Sequence, residues 1–267
     1  MRGFAFQLIC VVLVFACSAI GIHLLPMSGV GSGTSSDVGR GLYISEGCIN
    51  CHSQYAREGT LDTKIWGLAT APPIGGDTVV LIGNRRQGPD LSNIGARRSR
   101  EWNRAHLMNP SALAPGSRMP SYAHLFQGGH GQEDGEALLS YLDTLVAGDP
   151  SEWWNYVFGW QPLVGSSKAN VRKGELSFAT QCAPCHGVDG KGGGRAAALF
   201  ASPPRDLVSE PYRFTPDSMD ASQRWTRLAQ ILKFGIAGTS MPGHESLTDD
   251  QIVDLLSYLE TLREVQP

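Results

Sequence analysis

Charge is scarce in this chain. Charged residues make up 18% of its 267 positions, and their balance is −3 at neutral pH. A basic surplus is lacking, which argues against a dedicated nucleic-acid binder. Cysteine is scarce as well, and six residues are too few for a disulfide scaffold of this length. Sustained alternation of apolar and polar residues is missing, apart from a short candidate strand at Thr78–Ile82. Disorder is excluded from the other side, because 42% of the chain is hydrophobic. Glycine (32) and proline (16) are plentiful and predict many turns and irregular loops.

The longest stretch without a charged side chain lies between Arg2 and Asp37. Within it, Phe4 to Leu25 is broken by clearly polar residues only at Gln7, Ser18 and His23. Those 22 residues, at about 1.5 Å each, make a helix of about 33 Å, enough to cross a hydrocarbon core. A cleaved signal peptide calls for a shorter apolar region and a small-residue cleavage site. A lipoprotein signal would cut at Cys17, which Phe15 and the apolar residues after Cys17 fit poorly. The expectation is an uncleaved transmembrane anchor over 1–26 and a flexible leash over 27–36. Arg2 orients the N-terminus inward and the rest of the chain outward.

An internal duplication organises the remainder. Cys48-Ile-Asn-Cys51-His52 recurs as Cys182-Ala-Pro-Cys185-His186, and Gly116-Ser-Arg-Met119-Pro120 as Gly238-Thr-Ser-Met241-Pro242. Leu138-Leu-Ser-Tyr141-Leu recurs as Leu255-Leu-Ser-Tyr258-Leu. Three blocks in one order predict two copies of one domain, at 37–147 and 167–267. Between them, 148–166 reads as a Trp-rich linker that packs between domains or rests on a membrane or partner. Both copies read as helical, so the fold class is all-α. Thr248 and Gln251 form a capping box before the apolar face of Ile252, Leu255, Leu256 and Leu259. A helix over 221–234 should stop at Gly235, and Ser99 should cap another that runs to Met108 before Asn109-Pro110.

The chemistry sits in the two C-x-x-C-H motifs, which read as covalent haem c attachment. On one helical turn, residues three and four apart project to the same side. Cys48 and Cys51, or Cys182 and Cys185, can then bond a porphyrin while His52 or His186 reaches its iron. A zinc site remains a rival, but the pairs are 134 residues apart and each carries its own histidine. A thioredoxin-type pair would need a βαβ context.

Met119 and Met241 follow the histidines by 67 and 55 residues in matching contexts, and are the candidate sixth ligands. His106, His124, His130 and His244 are the competing ones. A backbone carbonyl of Pro89 or Pro204 is the candidate acceptor for the ligand histidine's other N–H. Arg86, Arg97 and Arg205 are candidate partners for haem propionates.

Both copies resemble class I cytochrome c domains. Copy one resembles something narrower, the membrane-anchored mono-haem subunit II of cbb3-type cytochrome c oxidases. The likeness rests on Glu46-Gly47-Cys48, Cys51-His52-Ser53-Gln54, Gly88-Pro89-Asp90-Leu91, Glu101-Trp102, His106-Leu107, Asn109-Pro110 and Ser117-Arg118-Met119-Pro120. The resemblance implies one haem c held by His52 and Met119, a second held by His186 and Met241, and no catalysis by the chain alone. It also implies a polytopic haem b/copper oxidase subunit and other respiratory subunits as partners. A soluble cytochrome c or cupredoxin would be the donor. The location would be the bacterial inner membrane, with the haem domains on the periplasmic side. The second haem domain departs from that family. A cytochrome serving another respiratory complex, a di-haem peroxidase-like enzyme and a haem-based sensor are the other functions considered.

Overall fold

The computed structural model describes residues 34–69, 81–83, 85–216 and 218–264. The predicted anchor, most of the leash and positions 78–80 of the candidate strand lie outside the described residues. Among the described residues, no helix is long and apolar enough to cross a membrane.

The regular elements there are all helical, with one isolated bridge between Gly235 and Pro242. In chain order the α-helices are α1 (Ser35–Ser45), α2 (Leu61–Ile65), α3 (Ile94–Arg97), α4 (Arg100–Met108), α5 (Pro110–Leu113) and α6 (Gly129–Thr144). They continue as α7 (Pro150–Gly159), α8 (Val171–Gln181), α9 (Ala183–His186), α10 (Ala221–Phe234) and α11 (Asp249–Glu264). The expected end signals act as read. The Ser99 hydroxyl accepts from Trp102 N at 3.1 Å, and Gly235 closes α10 at φ 79°. Thr248 N donates to Gln251 Oε1 at 2.9 Å while Gln251 N donates back to Thr248 Oγ1 at 3.3 Å.

Each copy forms a lobe in which its first and last helices cross, α1 on α6 and α8 on α11. Glycine permits the approach. A Cβ on Gly39 would stand 2.0 Å from the Ala137 carbonyl oxygen, and one on Gly174 2.0 Å from that of Asp254. One turn further on, aromatic pairs fill the crossing: Tyr43 with Tyr141 at 5.7 Å between ring centroids, Phe178 with Tyr258 at 5.3 Å. The cores beneath hold Cys48 with Leu107, Leu138 and Leu139 in one lobe, and Cys182 with Leu232, Ile252 and Leu255 in the other. The first cysteine of each motif is therefore a core residue as well as a site residue.

The structure adds detail to two sequence readings. Helix α1 begins at Ser35, inside the last two positions of the expected leash. The stretch read as a linker is largely helical: the Asp149 carboxylate accepts from Ser151 N at 2.9 Å and Pro150 starts α7. Trp153 and Val157 bury against Phe234 at the end of α10, and Gln230 Nε2 donates to the carbonyls of Phe158 and Trp160 at 3.0 and 2.9 Å. This segment is docked on the second lobe.

Both lobes belong to one compact unit, Ser35–Pro267. They meet at a buried ionic cluster. Arg97 Nε donates to Glu245 Oε1 at 3.0 Å, and Arg98 grips both carboxylate oxygens of Glu245 at 2.8 Å. The side chains of Arg97, Arg98 and Glu245 are 2%, 9% and 3% exposed.

Candidate haem centres

Each C-x-x-C-H motif is a single tight turn. His52 N donates to Cys48 O, and His186 N to Cys182 O, both at 2.9 Å. The turn is separate from the helix before it: α1 stops at Ser45 and Gly47 (φ 77°) redirects the chain, while α8 stops at Gln181. Cysteines three apart and the following histidine are therefore gathered on one compact helical turn. Burial pushes Cys48 up to about 11 and Cys182 up to about 12, so both are neutral thiols at neutral pH.

The histidines are oriented alike. His52 Nδ1 lies 2.8 Å from the Pro89 carbonyl oxygen, and His186 Nδ1 lies 2.9 Å from that of Arg205. An Nδ1–H donated to a carbonyl leaves Nε2 as the basic nitrogen for a metal. Burial lowers the pKa of both rings, favouring the neutral form that ligates. The expectation for Pro204 is thus corrected. Its carbonyl faces Gly192 instead, 2.4 Å from where a Cβ there would stand. Aligned on their shared Asp-Leu, Gly88-Pro89-Asp90-Leu91 matches Pro204-Arg205-Asp206-Leu207, so Arg205 is the counterpart of Pro89. Gly88 is required by the ring it faces, since a Cβ there would lie 2.2 Å from His52 Cε1.

The methionine loops are built on one plan. Met119 N donates to Ser117 Oγ and Met241 N to Thr239 Oγ1, each at 3.2 Å. Each loop is tied back to the end of an earlier helix, to α4 through Ser121 Oγ donating to Met108 O at 2.7 Å and to α10 through the Gly235–Pro242 bridge. Both side chains are half-buried, and Met119 packs on the cluster that contains Cys48.

The competing histidines occupy different settings. His124 pairs with Glu46 at 3.2 Å on the surface. Burial, with His52 and Arg98 nearby, holds His106 down to about 4, and its Nδ1 is buried without a partner. Burial, with Arg98 nearby, likewise brings His244 to about 4. The His130 side chain lies outside what is described.

The three arginines have protein partners. Arg86 pairs with Asp62 at 3.0 Å and donates to Ser53 Oγ at 3.0 Å, in a network centred on Asp90. Arg205 pairs with Glu210 at 3.0 Å and donates to the Pro211 carbonyl at 2.8 Å. Arg97 belongs to the buried cluster with Glu245. That cluster and the Asp90 network were not foreseen from sequence.

Among the described residues, no three His, Cys, Asp or Glu side chains converge to hold a bare metal ion, so the two cysteine pairs do not meet as a zinc site. The donor set fits haem c instead: two thiols and an imidazole on one turn, with the imidazole's second nitrogen already engaged.

Comparison with known proteins agrees with this chemistry. Residues 23–149 match the family described as cytochrome c oxidase, mono-heme subunit/FixO, and residues 171–263 match the cytochrome c family. No curated protein matches the chain. Among solved structures, a chain of the Kuenenia stuttgartiensis reducing HAO-like protein complex aligns at 18% identity, over 85% of this chain and 96% of that one. Its TM-score is 0.29, too low for the likeness to carry weight. The chain is thus a tandem of two family matches, the cytochrome c oxidase mono-haem subunit first and cytochrome c second.

Proposed function

We propose that this chain is a membrane-anchored di-haem c subunit of a cbb3-type haem–copper oxidase. It passes electrons from a periplasmic donor, a soluble cytochrome c or cupredoxin, to the catalytic subunit, and makes no bonds itself. The observation that carries the reading is the repeated geometry: two C-x-x-C-H turns, each with its histidine Nδ1 on a loop carbonyl, in the order of the two family matches.

Haem c, when bound, supplies a one-electron iron couple. Cys48 and Cys51, and Cys182 and Cys185, would hold it through thioethers. His52 and His186 would present Nε2 to the metal, and Met119 and Met241 a thioether sulfur. The loop carbonyls of Pro89 and Arg205 keep each imidazole in one tautomer. The domains are taken as 37–147 and 167–267, with Phe4–Leu25 as an inner-membrane anchor and both lobes on the periplasmic side. Purification in mild detergent tests the assignment. A polytopic subunit carrying haem b and copper should accompany the chain, and isolation of the chain free of any such subunit would contradict it.

A further inference from the structure

Helix α4 lies between the two attachment motifs. Ala105 is buried in a cluster with Leu113, Ala196 and Phe200, against which Trp102 and Cys185 also pack. Two residues on, Leu107 is buried in the cluster that contains Cys48. One helix thus contributes to the packing around a cysteine of each motif. Its position is held from the second lobe. The Glu101 carboxylate accepts from Ala201 N at 2.6 Å and from the hydroxyl of Ser240, the residue before Met241. Arg195 of the second lobe donates to the Ser111 and Ala112 carbonyls in α5 at 2.8 and 3.1 Å. Along α4, Trp102 and His106 stand one turn apart on one face. Their rings stack at 4.7 Å between centroids and 10° between planes. Arg98, fixed by Glu245, lies over the Trp102 ring at 5.2 Å.

We propose that α4 is the shared wall between the two haem centres and that the stacked Trp102–His106 pair is the electron path across it. This rests on the di-haem reading above. Electron tunnelling weakens steeply with distance through saturated side chains, and two aromatic rings in contact shorten the saturated part of the route. Trp102 and Cys185 pack against the same buried cluster, and His106 lies close enough to His52 to feel its charge. With both haems bound, one electron would leave the reduced centre and reduce the oxidised one. No bond forms or breaks, and no proton moves.

The test uses the full-length holoprotein. In Trp102→Leu, transfer between the haems after rapid reduction by a pulse-generated radical should slow several-fold. Haem content, both midpoint potentials and the absorption spectra should stay as in the wild type. Trp102→Phe should restore most of the rate, which a purely structural role does not require. An unchanged rate in Trp102→Leu overturns the proposal. A second readout does not depend on rates. In wild-type protein labelled with 5-fluorotryptophan, the Trp102 fluorine resonance, identified by its loss in Trp102→Phe, should move as each haem in turn becomes paramagnetic. A resonance that responds to one haem or to neither overturns the proposal. Fewer than two haems per wild-type chain would instead defeat the di-haem reading.

Discussion

At each motif the histidine has one nitrogen engaged by a carbonyl and the other left for iron, so what remains is the ligand on the opposite side. Met119 and Met241 sit in loops stapled by the same device, a hydroxyl two residues earlier that accepts the methionine N–H. Met241→Ala should therefore abolish the sulfur-to-iron charge-transfer absorption of its haem, read in the oxidised visible spectrum. An unchanged band would remove Met241 as ligand. With sulfur on both irons, as proposed, the reduced protein should bind carbon monoxide negligibly. Stoichiometric binding at either haem would favour a di-haem enzyme.

At the scale of elements, two devices hold the lobes. The first is the glycine crossing. Gly174→Ala would force a methyl group onto the Asp254 carbonyl, and should cost about 1–3 kcal/mol, as overpacking typically does. Denaturant unfolding measures this, and a neutral result would show that α8 and α11 can part without loss. The second is the ionic cluster between lobes. Glu245→Gln leaves two buried guanidinium groups without a countercharge, and should destabilise by about 3–5 kcal/mol. Burial alone would raise the Glu245 pKa, yet Arg97 and Arg98 hold its carboxyl well below the usual glutamate range. A lowered folded value means that this contribution is full above the ordinary glutamate pKa and is lost as pH falls through the folded one. Urea midpoints of the wild type should therefore fall more steeply on acidification below that range than those of Glu245→Gln. Parallel pH curves would contradict the account.

For the whole molecule, what could be read in advance followed the repeat. The cysteines and histidines, the methionine loops and the capped helices were visible because local patterns specify them. The acceptor for His186 was also within reach, through alignment on Asp90-Leu91 and Asp206-Leu207 in place of the prolines. Helix α7 carried its signals too, in Asp149-Pro150 and the four-residue spacing of Trp153 and Val157, but the segment read as a linker, packed between domains or resting on a membrane or partner, with no helix assigned. The Arg97–Arg98–Glu245 cluster was beyond reach. Its partners lie 148 and 147 residues apart, and no periodicity links them.

All of this depends on two porphyrins bonded covalently to one polypeptide. Pyridine haemochrome quantification on the denatured, acid-acetone-extracted chain tests that directly. Two haems c per chain are predicted, falling to one when either cysteine pair is replaced by alanine. A chain that retains one haem or none after extraction would contradict it.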